Sequence, residues 1–337
     1  MAMGYASALR SELGELNREY ARGRLHVESY GGDSVIVYAP ENGTHGNFFG
    51  PAYAAIAARA DWMRRFDKIH AQGRSLPRCP EEPGRRWREL DSSTSSDALL
   101  MNVFCTPGVA DAVAVRHMMG VDSDADPVFG WKARVPLANG RVDRTEVDMR
   151  WGDLLVESKL TESDFQSREA ALVEAYRDFD AVFERELLPK IEIRTRRRRS
   201  AVELAEEFTQ EWEPPSEDDG ETARAFQAEI EERADRLQPT VRGYASYQLI
   251  RNVLAAYAAG ASFCVIHDER RPDLREEWFR VMAAVKSAEM RVRCKVVTWQ
   301  ELVPVLPAGL REFLEVKYGI QGSGVSDQWS GRQPAPG

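Results

Sequence analysis

Thr145-Glu-Val-Asp-Met-Arg-Trp-Gly-Asp-Leu-Leu-Val-Glu-Ser-Lys159 holds two alternating runs about a turn signal. Residues 141–150 and 153–160 read as strands, with Val142, Val147, Leu154, Leu155 and Val156 supplying β-propensity. Trp151-Gly152 sits between them, and Gly at the second loop position suits a two-residue hairpin, which needs φ > 0 there. With that loop, Met149 faces Leu154, Asp148 faces Leu155 and Glu146 faces Glu157. Side chains alternate along a strand, so Glu146, Asp148, Glu157 and Lys159 project from one face. Asp148 and Glu157 become diagonal neighbours, about 7–8 Å apart at the backbone and closer at the carboxylates. A three-residue loop flips the parity and turns Asp148 away from Glu157.

Carboxylates gathered in this way repel one another, and burial makes ionisation harder still. A cation must sit among them. Mg²⁺ fits, because it is bound by a few carboxylates while keeping several waters, and Mn²⁺ is a plausible substitute. Such a metal lowers the pKa of bound water and polarises a phosphoryl oxygen. Lys159 is then placed to orient that water or to stabilise charge in the transition state. The bland alternative is a solvated sheet face carrying an E-x-K. Against it, Leu154-Leu155-Val156 and Ala133-Arg-Val-Pro-Leu137 are too apolar for a wholly exposed sheet.

The flanking segments run helix, three strands, helix, strand. Trp87 to Phe104 carries a Ser/Thr cluster suited to N-caps, with Leu99, Leu100, Val103 and Phe104 on one helical face. Strands near 132–138, 141–150 and 153–160 follow. Tyr247 to Tyr257 is an amphipathic helix ended by Gly260, with Gln248 and Arg251 on a shared side. Ala261 to His267 is a buried-strand run, and Cys294 to Leu302 is a strand running into a helix.

With Asp148 as the Asp and Glu157-Ser158-Lys159 as the (D/E)XK, the chain resembles the PD-(D/E)XK nuclease superfamily. Within it, Ser95–Asn102, Glu157–Phe165, Tyr247–Asn252, Thr298–Leu302, His45–Phe48 and Trp62–His70 resemble a narrower family of inferred restriction endonucleases. The likeness spans about residues 25–305, with long unmatched stretches. It implies a restriction-endonuclease-like α/β fold, a mixed central sheet flanked by helices. It also implies Mg²⁺-dependent hydrolysis of DNA leaving a 5′ phosphate, in restriction or anti-phage defence. Asp148, Glu157 and the Ser158 carbonyl would be the metal ligands. Asp97 matches the acidic position on the first helix, and Gln248 a polar helix residue that contacts phosphate or water. Glu146 is either a third carboxylate or a surface acid, and Gln248 and Arg251 equally suit a helix-to-sheet hydrogen bond. RNA, or single-stranded or branched nucleic acid, is the alternative substrate, and a non-catalytic nucleic-acid-binding module the alternative role. A homodimer suits the cutting of both strands of a duplex.

Composition bounds the rest. The 337 residues, 43% hydrophobic and 29% charged, suit a globular protein with ample core. No apolar run approaches about 20 residues and the start is no secretion signal, so a cytoplasmic protein with no membrane segment is expected. Cys79, Cys105, Cys264 and Cys294 form no C-x-x-C pair; three of the four lie in apolar segments and read as small core residues, in a reducing compartment. The histidines make no metal motif, and His45 and His70 read as structural. A net charge of −9 disfavours nucleic-acid contact overall, but Arg194–Arg199 is strongly basic and Glu203–Glu221 strongly acidic. The arginine run either grips phosphate or pairs with nearby acids.

Three regions are expected. Residues 1–85 form an N-terminal α+β extension: a helix near 4–22, a hairpin through Leu25–Ser29 and Ser34–Ala39, and a helix from Pro51 to Gln72. Residues 86–320 form the core, with a helical insertion about 167–240 that includes a helix from Ala170 to Leu188. Residues 321–337 are Gly/Ser/Pro-rich and read as a disordered tail.

Overall fold

A computed structural model of the chain describes residues 4–29, 35–70, 76–194 and 240–322. The hairpin turn at Gly31-Gly32, most of the arginine run, the acidic stretch, the second half of the insertion and the tail lie outside them.

The chain opens with α1 (Tyr5–Tyr20), an antiparallel pair β1 (His26–Glu28) and β2 (Ile36–Tyr38), and a second pair β3 (Pro40–Glu41) and β4 (Thr44–His45). The long helix expected after Pro51 is broken. Helix α2 (Gly50–Ala57) stops, Arg59 is extended (φ −124°, ψ 113°), and the one-turn α3 (Ala60–Met63) tightens into a 3-10 turn over Arg64–Asp67. The break lets Arg59 pair with Asp61 and Asp126 and lie 4.0 Å from the Trp62 ring centre. A further 3-10 turn (Glu89–Asp91) leads to α4 (Ser96–Phe104), and α5 (Val113–Met119) follows. The cap predicted in the Ser/Thr cluster is Ser95, which accepts the Ala98 N–H at 3.2 Å.

The central sheet has β5 (Val128–Lys132), β8 (Glu146–Trp151), β9 (Leu154–Ser158), β13 (Ser262–His267) and β14 (Cys294–Thr298), with order β14-β13-β9-β8-β5. The β5/β8 and β8/β9 pairs are antiparallel, and β9/β13 and β13/β14 are parallel. The two expected strands at 132–138 and 141–150 are each divided. A small antiparallel pair, β6 (Val135–Pro136) and β7 (Val142–Asp143), carries the intervening turn off the main sheet.

The hairpin between β8 and β9 differs from expectation by one step at each end. Trp151 pairs with Leu154, Arg150 with Leu155 and Met149 with Val156, so the loop is Gly152-Asp153. Gly152 (φ +60°) occupies the first loop position rather than the second, as a type II′ turn requires. The strand takes Trp151 because its indole is 1% exposed and packs edge-on against Phe104 at 5.7 Å. The loop is still two residues long, so the parity is kept.

Each face of the sheet is covered. One cluster joins Met149, Trp151, Leu154 and Val156 to Leu99, Leu100, Val103 and Phe104 of α4, and to Leu9, Leu13, Leu310 and Leu314. Leu310 and Leu314 belong to the last helix, α12 (Ala308–Tyr318), which follows two further helical segments, α10 (Ala288–Arg293) and α11 (Trp299–Leu302). The other cluster joins Leu155 and Val265 to Leu249, Ile250, Val253 and Leu254 of α8 (Tyr247–Ala259), and to Leu274 and Trp278 of α9 (Pro272–Ala284). Thr298 caps α11 through a capping box with Glu301.

The helix expected over Ala170–Leu188 is not formed. Only α6 (Ala170–Val173) and α7 (Phe179–Val182) are helical there. Instead β10 (Arg168–Glu169), β11 (Lys190–Arg194) and β12 (Thr240–Tyr244) make a three-stranded antiparallel sheet. Phe179 and Phe183 pack with Tyr244 of that sheet in the core shared with α8. Cys79, Cys105 and Cys264 are buried free thiols, and Cys294 is half-buried. No described helix is long and apolar enough to cross a membrane.

Candidate active site

The upper end of the β8/β9 hairpin brings the predicted residues together. The register seen at Met149–Val156, carried one step further, sets Asp148 against Glu157 directly rather than diagonally. There the Asp148 carboxylate takes over from the strand backbone: its Oδ2 accepts the Ser158 N–H at 2.8 Å. Glu157, Ser158 and Lys159 are each under 5% exposed, and Asp148 is half-buried.

Glu157 and Lys159 point toward α8. Lys159 Nζ donates to Glu157 Oε1 at 2.9 Å and to Gln248 Oε1 at 2.9 Å. The other Glu157 oxygen accepts from Asn252 Nδ2 at 2.8 Å. Asn252 Oδ1 in turn accepts from Arg251, whose Nη2 also donates to the Glu146 carbonyl at 2.9 Å. Ser158 lies on the opposite face, where its Oγ donates to the Ser96 carbonyl of α4 at 3.2 Å.

Asp97 and Glu146 belong to the same cluster but are already paired. Arg65, from the 3-10 turn after α3, donates to Asp97 Oδ2 at 2.7 Å and makes a very short contact to Glu146. Lys68 reaches the same Asp97 oxygen at 3.2 Å. Gly130 of β5 makes room for Arg65: it has φ +64°, and a Cβ there would lie 2.5 Å from Arg65 Nη1.

The acids therefore divide. Burial opposes the charge on Asp97, but Arg65 and Lys68 outweigh it and hold that carboxyl below the ordinary aspartate range. Burial, then Glu157 and Asp97, push Asp148 well above that range; Lys159 and the Ser158 N–H only partly offset them. Burial likewise opposes the Lys159 charge, yet Glu157, Glu162 and Asp148 hold its ammonium above the usual lysine range. Arg65, Lys68 and Lys159 bond to Asp97, Glu146, Glu157 and Gln248 rather than to Asp148, so positive charge is in deficit at the Asp148 carboxyl.

The loop after Lys159 is held equally firmly. Buried Arg271 donates to the carbonyls of Leu160, Glu162 and Ser163, and Glu162 accepts the Leu160 N–H at 2.7 Å. The Lys159 N–H itself donates to the Ile266 carbonyl at 2.8 Å.

Among the described residues, no group of three or more His, Cys, Asp or Glu side chains is disposed to hold a metal ion. The oxygen donors nearest a cation at this point would be the carboxylates of Asp148 and Glu157 and the backbone carbonyl of Ser158, with both Glu157 oxygens and Asp148 Oδ2 also accepting hydrogen bonds. Mg²⁺ is commonly held by one or two carboxylates, with water and substrate oxygens completing its shell. The donor chemistry and the deficit of charge at Asp148 both fit.

Three residues of the cluster were not singled out as site residues from sequence: Asn252, Arg65 and Lys68. Asn252 carried a signal, since it lies four positions after Gln248 on one helix face. Arg65 belongs to a basic pair in the sequence, Arg64-Arg65, but its partners lie 32 and 81 positions away in the chain. His45 is structural, as expected: its Nε2 donates to Asp91 at 3.0 Å, its Nδ1 accepts the Asn47 N–H, and burial lowers its pKa.

A mixed five-stranded sheet with carboxylates and a lysine on its two central antiparallel strands is compatible with a restriction-endonuclease-like fold. The chain belongs to the family described as "Restriction Endonuclease associating with ARP", which matches residues 15–319. No curated protein and no solved structure matches it.

Proposed function

We propose that the chain is a Mg²⁺-dependent endonuclease of the PD-(D/E)XK type, acting on DNA in restriction or another anti-phage role. The observation that carries this is the convergence of Asp148, Glu157 and Lys159 at one end of the β8/β9 hairpin, with Glu157 and Lys159 in contact at 2.9 Å. Support comes also from the family, whose description names a restriction endonuclease.

Asp148, Glu157 and the Ser158 carbonyl would hold the ion, which supplies Lewis acidity toward a phosphoryl oxygen and an acidified water. The chain's own groups do the rest. Asn252 and Lys159 fix the two oxygens of Glu157, so its carboxylate does not rotate. Gln248 holds the Lys159 ammonium from the far side, leaving a third N–H to meet the attacking water or a phosphate oxygen. A cation held there would favour the ionised form of Asp148, against the burial and neighbouring acids that oppose it. Two chains acting together would cut both strands of a duplex.

The test is cleavage of supercoiled plasmid, linear duplex, single-stranded DNA and RNA with Mg²⁺ or Mn²⁺ against EDTA, beside Glu157→Ala. Metal-dependent cutting of duplex DNA that disappears in Glu157→Ala is expected. Cutting confined to RNA or single strands would replace DNA restriction with the alternative substrate. Binding without cutting of any substrate would leave a non-catalytic module.

A further inference from the structure

The Asp97 carboxylate meets two cations of very different exposure. Arg65 is 7% exposed and fixed between Asp97 and Glu146. The Lys68 side chain is 50% exposed, yet its Nζ lies 3.2 Å from the same Asp97 oxygen, which Arg65 already meets at 2.7 Å. A buried guanidinium held by two acids cannot leave without stranding them. A half-exposed ammonium on a flexible stem, sharing an oxygen already satisfied, can leave at little cost.

Lys68 also stands at the right place. Arg65 joins Asp97 to Glu146, which lies two residues before Asp148 on β8, so Lys68, paired with Asp97, sits at the border of the carboxylate cluster. Its backbone is anchored independently of its side chain, since the Lys68 carbonyl accepts the Glu89 N–H at 2.9 Å. Lys159 is committed to Glu157 and Gln248, Arg251 to Asn252 and the Glu146 carbonyl, and Arg65 to its two acids. Lys68 is the cation of this cluster that is both accessible and replaceable.

Resting on the nuclease reading above, we infer that Lys68 is a phosphate-contacting residue, exchanging Asp97 for a backbone phosphate of the bound nucleic acid, while Arg65 stays as the fixed counter-ion of Asp97 and Glu146. The segment before α4 thereby supplies a substrate contact beside the cleavage residues.

The experiment is fluorescence anisotropy with a labelled 30-base-pair duplex in Ca²⁺, titrated at several salt concentrations. The proteins are the wild type, Lys68→Met and Lys68→Arg, with Ca²⁺ replacing Mg²⁺ to hold back cleavage. Loss of one phosphate contact predicts affinity about three- to tenfold weaker in the Lys68→Met protein and a salt slope smaller by about one, restored by Lys68→Arg. The thermal midpoint should move little, because the Lys68 side chain is half-exposed and Asp97 keeps its shorter bond to the buried Arg65. An unchanged affinity and slope in Lys68→Met overturns the inference. So does a fall in affinity accompanied by an equal fall with Lys68→Arg and a lowered midpoint, which would mark a structural role. If the Lys68-containing protein binds no duplex and the wild type cuts none, the nuclease reading has failed, and this inference with it; duplex cutting by the wild type with an indifferent Lys68 fails the inference alone.

Discussion

Asp148 is tied to the neighbouring strand through the backbone of Ser158, its Oδ2 accepting that N–H at 2.8 Å, one residue from the acid it faces. The bond holds the carboxyl in place but is too weak to offset its surroundings. Burial, Glu157 and Asp97 still raise the Asp148 pKa well above the ordinary value.

That displacement has a measurable sign. The folded chain keeps the Asp148 proton to higher pH than the unfolded chain, which loses it near pH 4. Between those values the unfolded state binds fewer protons, so metal-free stability falls as pH rises from about 4 through the raised folded pKa. Asp148→Asn should remove this fall. In EDTA at neutral pH its thermal midpoint should exceed that of the wild type, by about 1–2 °C for each kcal/mol of repulsion relieved in a chain of this length. Mg²⁺ should raise the wild-type midpoint and leave the variant unmoved. Melting curves across pH with and without Mg²⁺ check both, and a destabilised Asp148→Asn would contradict the charge deficit.

The Lys159–Glu157 pair is buried on both sides, with side-chain exposures of 5% and 3%. Removing one partner strands the other, a cost of about 3–5 kcal/mol. Lys159→Met should therefore unfold at markedly lower urea concentration, and adding Glu157→Gln should recover most of the loss. Cleavage should stay at least about 100-fold down in both. Urea titrations paired with plasmid cleavage separate the two effects.

Among the described residues, the Asn252 side chain hydrogen-bonds to Glu157 and Arg251, so its proposed role is to aim the carboxylate. Asn252→Ala should lower kcat about 10- to 100-fold, the usual effect of losing a group that orients a metal ligand. It should also weaken Mg²⁺ binding, read as a smaller Mg²⁺-induced rise in melting temperature. A purely structural Asn252 would lower the metal-free midpoint and leave the Mg²⁺ concentration dependence of cleavage alone.

What the sequence made legible follows from which interactions are local. Hairpin parity is local, and the Gly beside Trp151 was enough to gather Asp148, Glu157 and Lys159. The register was two residues out because Trp151 was assigned to the loop, whereas its partner Phe104 lies 5.7 Å away in space and far away in sequence. The helical period of Ala170–Leu188 was overridden by packing of Phe179 against Tyr244, across the insertion. Gln248 and Asn252 lie four residues apart on one helix face, but what sets Asn252 at the site is its bond to Glu157, 95 positions away in the chain. Arg65 and Lys68 could not be placed at all, since only the folded chain brings them to Asp97.

The turn that sets this parity is itself testable. Gly152 has φ +60°, and a Cβ there would lie 2.7 Å from Ser123 Cβ, a contact backbone relaxation must relieve. Gly152→Ala should cost about 1–2 kcal/mol for the left-handed conformation, plus the contact. Ser123→Gly in the same chain should return the second part and not the first. Because Ala lengthens no loop, the pairing of Trp151 with Leu154 and the facing of Asp148 and Glu157 should survive. Cleavage per folded molecule should then equal the wild type, measured below the variant's melting range. A variant that folds with native stability but no activity would mean that the loop, and not only its parity, takes part in the site.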